Sequence, residues 1–172
     1  ATPVLLPGSE LYQSLQSGAI EATEWVGPWN DLAMGFYREA KYYMWPGFHE
    51  PNAQLCLGMN LELWQTLSGQ EQAIFTTACR AANLESLGIY AIRNAEALRV
   101  LTEKHGAELV ETPFEIMQLL AEKTEEVLEE IANSSPIARE IHDSYIATMR
   151  NTTPLTAITD AAYMDLRQRL IG

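Results

Sequence analysis

The chain has 172 residues, 47% of them hydrophobic, enough for one compact domain with a sizeable core. Its 11 Lys and Arg against 23 Asp and Glu give a formal net charge of −12, which leaves no basic stripe for nucleic-acid phosphates and argues against an anionic membrane surface as partner. No apolar run approaches the ~20 residues needed to span a bilayer, and two cysteines, Cys56 and Cys79, are too few for a disulfide scaffold.

The opening Ala-Thr-Pro-Val-Leu-Leu-Pro has neither an initiator Met nor a signal peptide, which leads us to expect a processed or truncated product. Thr2 to Leu6 reads as a strand broken by Pro7-Gly8, and Ser9 caps a short helix that stops at Gly18. Ile20 to Val26 reads as a second strand, so the first 26 or so residues predict a βαβ unit with parallel pairing. Gly27-Pro28 ends that strand, Trp29 to Ala40 reads as a short helix, and Lys41 to Trp45 is extended before Pro46-Gly47. Ala53 to Asn60 is a further strand candidate, followed by a short helix over Leu61 to Leu67.

Ser68 caps a long helical stretch from Gly69 to His105, with Gly88 as the expected bend or break. Ala107 to Val110 is a small strand. Phe114 to Asn133 is strongly amphipathic, with Met117, Leu120, Val127, Leu128 and Ile131 on one side. A last helical region runs from Pro136 to about Leu170, interrupted near Thr152-Thr153-Pro154. Together these elements predict an α/β front with long helices behind.

Eight of the fifteen aromatic side chains (Trp25, Trp29, Phe36, Tyr37, Tyr42, Tyr43, Trp45 and Phe48) fall in one short segment bracketed by Glu24 and Glu50. Strand ends and the breaks after them are where open α/β sheets place ligands. Two carboxylates at such places suit a hard cation, and ring faces suit a small organic ligand. An aromatic core with two surface glutamates fits the same composition. The acidic run Glu122, Glu125, Glu126, Glu129 and Glu130 lies opposite its helix's apolar stripe and reads as a solvated face. His49, His105 and His142 are scattered, and Cys56 and Cys79 read as inert thiols. No G-x-S-x-G, G-x-G-x-x-G or Walker pattern occurs, and no nucleophile and base stand out as a pair.

The segments ATEWVGPWNDL (22–32) and AKYYMWPGFHEP (40–51) resemble the extracytoplasmic solute-binding proteins of TRAP transporters. The group they look most like binds 2-oxo acids, lactate and related monocarboxylates with a metal ion. The opening TPVLLPGSELYQSLQSGAIEA (2–22) is similar to the same family. The resemblance implies an α/β chain that is part of a two-lobed, periplasmic-binding-protein-like fold with long C-terminal helices. Residues 1–43 would form a portion of the C-terminal lobe (βαβ). Residues 44–90 would contribute to the other lobe and a connecting helix, and 91–172 would be C-terminal helices packing back on the first lobe. The family's N-terminal half, with its solute-gripping arginine and a metal-holding glutamine, would be missing.

By the same resemblance Trp25 would offer its carbonyl to the cation, Na+ or Ca2+, and its ring to the ligand. Glu50 would be a carboxylate ligand of the metal, Glu24 a further ligand or a close neighbour of it, and Phe48 would pack on the solute. The implied protein is a periplasmic receptor without catalysis or organic cofactor. Its partners would be a small organic acid anion, the TRAP membrane subunits and a second copy through the C-terminal helices. The competing readings are a metal-dependent enzyme acting on a 2-oxo acid through Glu24 and Glu50, and a helical interaction domain without ligand.

Overall fold

The computed structural model describes residues 2–48, 53 and 55–171. The chain divides into two units, Ala1–Thr112 and Pro113–Gly172.

In the first unit α1 (Gly8–Ser17) begins after Pro7, whose carbonyl accepts the Glu10 N–H at 2.9 Å, and it ends where the Gly18 N–H turns back to the Leu15 carbonyl. α2 (Pro28–Met34) has Pro28 in its first turn, where the missing N–H costs nothing. A 3₁₀ turn, Phe36–Arg38, follows. β1 (Tyr42–Trp45) then pairs in parallel with β2 (Glu108–Glu111), Tyr42 facing Glu108 and Trp45 facing Glu111. The Trp45–Pro46 peptide that follows β1 is cis.

Between the two strands run α3 (Leu61–Thr66) and α4 (Gly69–Glu103). Asn60 caps α3 by accepting the Leu63 N–H at 3.0 Å. Ser68 and Glu71 close a reciprocal capping box at the head of α4. The 35 residues of α4 span roughly 50 Å and run through Gly88 without the expected break. A single glycine costs a helix only about 1 kcal/mol relative to alanine, less than the surrounding turns supply.

The strands expected over 2–6 and 20–26 do not form, and neither do the described residues of 53–60 make a strand. A strand exists only where a neighbour takes up its backbone hydrogen bonds, and among the described residues the one sheet is β1 with β2. The expected pairing of 2–6 with 20–26 is thus replaced by a different parallel pair, whose members lie on either side of α3 and α4 in the sequence.

The buried apolar side chains of this unit are Leu11, Phe36, Ala97 and Leu101. Tyr90, Asn94, Ala97 and Leu101 recur at helical spacing on α4. Tyr90 meets the Trp29 ring edge to face, with centroids 5.2 Å apart. Leu101 is 2% exposed, so Leu101→Ala is expected to cost about 2–5 kcal/mol. A lower urea midpoint at unchanged slope would show it, and an unmoved midpoint would mean that this end of α4 anchors nothing.

The second unit holds α5 (Phe114–Ala132), α6 (Pro136–Ile158) and α7 (Asp160–Ile171). The acidic residues of α5 are exposed as expected, although Glu129 also accepts both guanidinium nitrogens of Arg139, at 2.6 and 3.1 Å. Those bonds hold the Glu129 carboxyl below the usual range. The interruption expected at Thr152-Thr153-Pro154 falls later, at Thr159. Proline's fixed φ is helical, and what it removes is one backbone donor. The Thr152 and Thr153 hydroxyls meanwhile bond to carbonyls of the preceding turn at 2.9 and 2.8 Å. No helix of the described residues is long and apolar enough to cross a membrane.

Candidate functional site

Residues 22–27 form neither helix nor strand and lead straight into α2. Two glycines shape this segment. At Gly8 the Trp25 indole lies so close that a Cβ would come within 2.6 Å of its Cη2, so any side chain there would push the ring away. Gly27 has φ 153°, a conformation L side chains rarely adopt. It turns the chain into α2 directly after the Glu-Trp-Val sequence.

Glu24 is exposed, and its carbonyl accepts the Thr23 hydroxyl at 3.2 Å. Trp25 is packed on the start of α1 yet keeps 36% of its surface open. Phe48, three residues beyond β1, is 52% exposed. Two of the expected aromatic contacts are thus available at the surface. His49 and Glu50 lie outside the described residues.

The donor chemistry fits a hard cation: the Glu24 and Glu50 carboxylates and the Trp25 carbonyl are all oxygens of the kind Ca2+ and Na+ prefer. Among the described residues no three His, Cys, Asp or Glu side chains form a group able to hold a metal ion. A cation here would rest on Glu50, on backbone carbonyls and on the oxygens of its solute.

The best-fixed polar group beside these residues is Asp31. One carboxylate oxygen accepts the Tyr43 hydroxyl at 2.5 Å, and the other faces the Gly27 N–H at 3.4 Å. Burial raises the Asp31 carboxyl above its ordinary value, against the pull of these hydrogen bonds. Burial and the Asp31 bond together push the Tyr43 phenol up. On the other side Asn94 of α4 accepts the Trp29 N–H at 3.0 Å and lies 3.6 Å from where a Gly27 Cβ would stand.

Sequence reasoning places Asp31 near a helix start and no further. Tyr43 is marked by the aromatic cluster and the extended stretch 41–45 but not as a partner of Asp31, and Asn94 carries no signal, being 65 residues from the amide it caps.

Trp25 and Glu24 are thus both exposed on an irregular segment whose end is held by hydrogen bonds to Asp31 and Asn94. The chain belongs to the bacterial extracellular solute-binding proteins, family 7, whose sequence model matches residues 1–135. It is 35% identical, over 92% of its own length and 43% of the relative's, to a monocarboxylate 2-oxoacid-binding periplasmic protein of Nostoc sp. strain PCC 7120. Its fold is similar to a TRAP transporter solute-binding protein of Bordetella bronchiseptica RB50, with TM-score 0.90 and 26% identity over 98% of this chain and 50% of that one. That structure is a mixed-occupancy dimer, with copurified calcium and picolinate bound in one active site and the other site apo.

A TRAP periplasmic solute-binding protein of Rhodobacter sphaeroides, in an apo open structure, shares the fold at TM-score 0.63 and 21% identity over 89% of this chain and 48% of that one. The chain therefore spans about half the length of the relatives it matches. Those relatives are solute-binding proteins and not enzymes, as the resemblance in residues 22–51 leads one to expect.

Proposed function

We propose that these residues are part of a TRAP transporter receptor that captures a small organic acid anion together with a hard cation and hands the acid to the membrane permease. The acid is a 2-oxo acid, lactate or a similar monocarboxylate, the cation is Na+ or Ca2+, and the compartment is the periplasm. The observation that carries this reading is the Trp25 segment: a ring packed on Gly8 with about a third of its surface open, next in sequence to the exposed Glu24. The 2-oxoacid-binding relative and the neighbour with calcium and picolinate support it. Picolinate, like a 2-oxo acid, sets a second donor atom beside its carboxylate, so either can chelate a cation.

In this reading Glu50 and Glu24 supply carboxylate oxygens, the Trp25 carbonyl supplies another, and the Trp25 and Phe48 rings cover the solute. The cation removes the repulsion between the glutamates and an incoming anion. The lobe division at 1–43, 44–90 and 91–172 belongs to the same proposal. So does a homodimer through α6 and α7, supported by the exposed row Ile137, Ile141, Tyr145 and Met149 at four-residue spacing.

The test is tryptophan fluorescence under titration with pyruvate, with and without sodium or calcium. It is made on these 172 residues and on a protein of the relatives' length that contains them. A saturable change that requires the cation is the expected result. A folded full-length protein that responds to no short 2-oxo or 2-hydroxy acid would remove the monocarboxylate assignment.

A further inference from the structure

We propose that Asp31 is a positioning residue for solute capture: its carboxylate ties the Glu24–Trp25 segment to strand β1, and so fixes the two ligand-bearing stretches relative to one another. The inference rests on the receptor reading above, because that reading assigns ligand contacts to both stretches.

The geometry is a clasp with two jaws. On one side is the Gly27 amide, two residues after Trp25. On the other is the Tyr43 hydroxyl, at 2.5 Å, on strand β1, which ends at Trp45, three residues before Phe48. Asp31 itself sits in the first turn of α2, which Asn94 secures to α4 through the Trp29 amide. A carboxylate is suited to this place because it only accepts, and its two oxygens serve donors arriving from two directions. Asparagine has the same shape but a single acceptor, and its NH2 would face either a backbone N–H or the phenol. Gly27 matters to the clasp as well, since its φ of 153° aims the amide toward Asp31.

A clasp of this kind acts on affinity by fixing geometry before the solute arrives. It predicts coupled losses. Asp31→Asn keeps one acceptor and can hold only one jaw, whereas Tyr43→Phe opens the strand side and leaves the Gly27 amide satisfied. In the full-length protein, with pyruvate and calcium, each variant should weaken binding about tenfold, the effect typical of groups that orient metal ligands from one shell out. The double variant should lose less than the product of the two single losses, because the two residues share one hydrogen bond. A merely structural role would lower the denaturation midpoint and leave the pyruvate affinity of the folded protein unmoved.

A second readout needs no ligand. In 15N-labelled protein the Gly27 amide and the Trp25 indole N–H should shift in Asp31→Asn, while amides of α5 stay in place. The indole is assigned with Trp25→Phe. If the wild-type protein binds no acid, the receptor reading fails, and the resonances still decide the clasp. Unmoved Gly27 and Trp25 signals in both variants, or full affinity in both, would overturn the proposal.

Discussion

Replacing Glu50 with Gln is expected to abolish the calcium dependence of pyruvate binding and to weaken binding in calcium by at least about 100-fold, or ~2.7 kcal/mol. The size follows from charge rather than shape. Glutamine keeps the volume and one oxygen of glutamate but gives up the negative charge that makes a hard cation bind. On the proposed reading, without the cation the solute's carboxylate would meet Glu24 unscreened, and like charges oppose binding.

Glu24→Gln should fall between Glu50→Gln and wild type, since an exposed carboxylate loses less when neutralised. Glu130→Gln, on the exposed face of α5, should leave affinity and calcium dependence as they are. The measurement is isothermal titration of the full-length protein with pyruvate at several calcium concentrations. A Glu50→Gln protein whose pyruvate affinity still climbs with calcium would move the metal assignment to other residues.

The parts of this molecule that sequence reasoning reached are those set by neighbours along the chain. Ser68 caps α4 with its own side chain, a cap read from residue type and spacing, whereas α1 starts at Gly8 behind Pro7, so that Ser9 lies inside the helix and does not cap it. Gly18 stops α1 for an equally local reason. What else failed depended on distant partners. Thr2–Leu6 and Ile20–Val26 have the apolar run of buried strands, yet a strand needs a neighbour, and β1 finds its own in β2 across two helices. Gly88 and Pro154 were credited with breaking helices, whereas each removes only one modest contribution from a long hydrogen-bonded array.

The site divides in the same way. Glu24 and Trp25 stand out because an acidic residue and a large aromatic precede Gly27-Pro28 in one short motif. The clasp that holds them does not stand out, because Asp31–Tyr43 and Asn94–Trp29 are bonds between elements. Sequence names the groups that could touch a solute, and folding decides which groups hold those in place.

The surface of the chain leads to a prediction whose sign reverses with context. The 172 residues expose 14028 Å². Even two separate compact bodies of the sizes of its two units would expose only about 10,000 Å². Exposed apolar side chains are frequent on α4, where Ile74, Phe75, Leu84, Leu87, Ile89 and Ile92 are all exposed. These residues point to several sides of the helix, and a helix that is apolar all round is built for burial.

On the proposal that the remaining half of the family fold covers α4, these 172 residues alone should bind the dye ANS strongly and elute from gel filtration ahead of a 19.2 kDa monomer. Ile74→Glu should then reduce both effects in the short chain by breaking the apolar patch. In the full-length protein the same substitution buries a charge without a partner, and should lower stability by about 3 kcal/mol or more. Chemical denaturation of the two proteins, each with and without Ile74→Glu, gives the comparison. Equal destabilisation in both lengths would show that Ile74 is already covered within these residues. Loss in neither would leave α4 a solvated rod, with its apolar residues serving no interface at all.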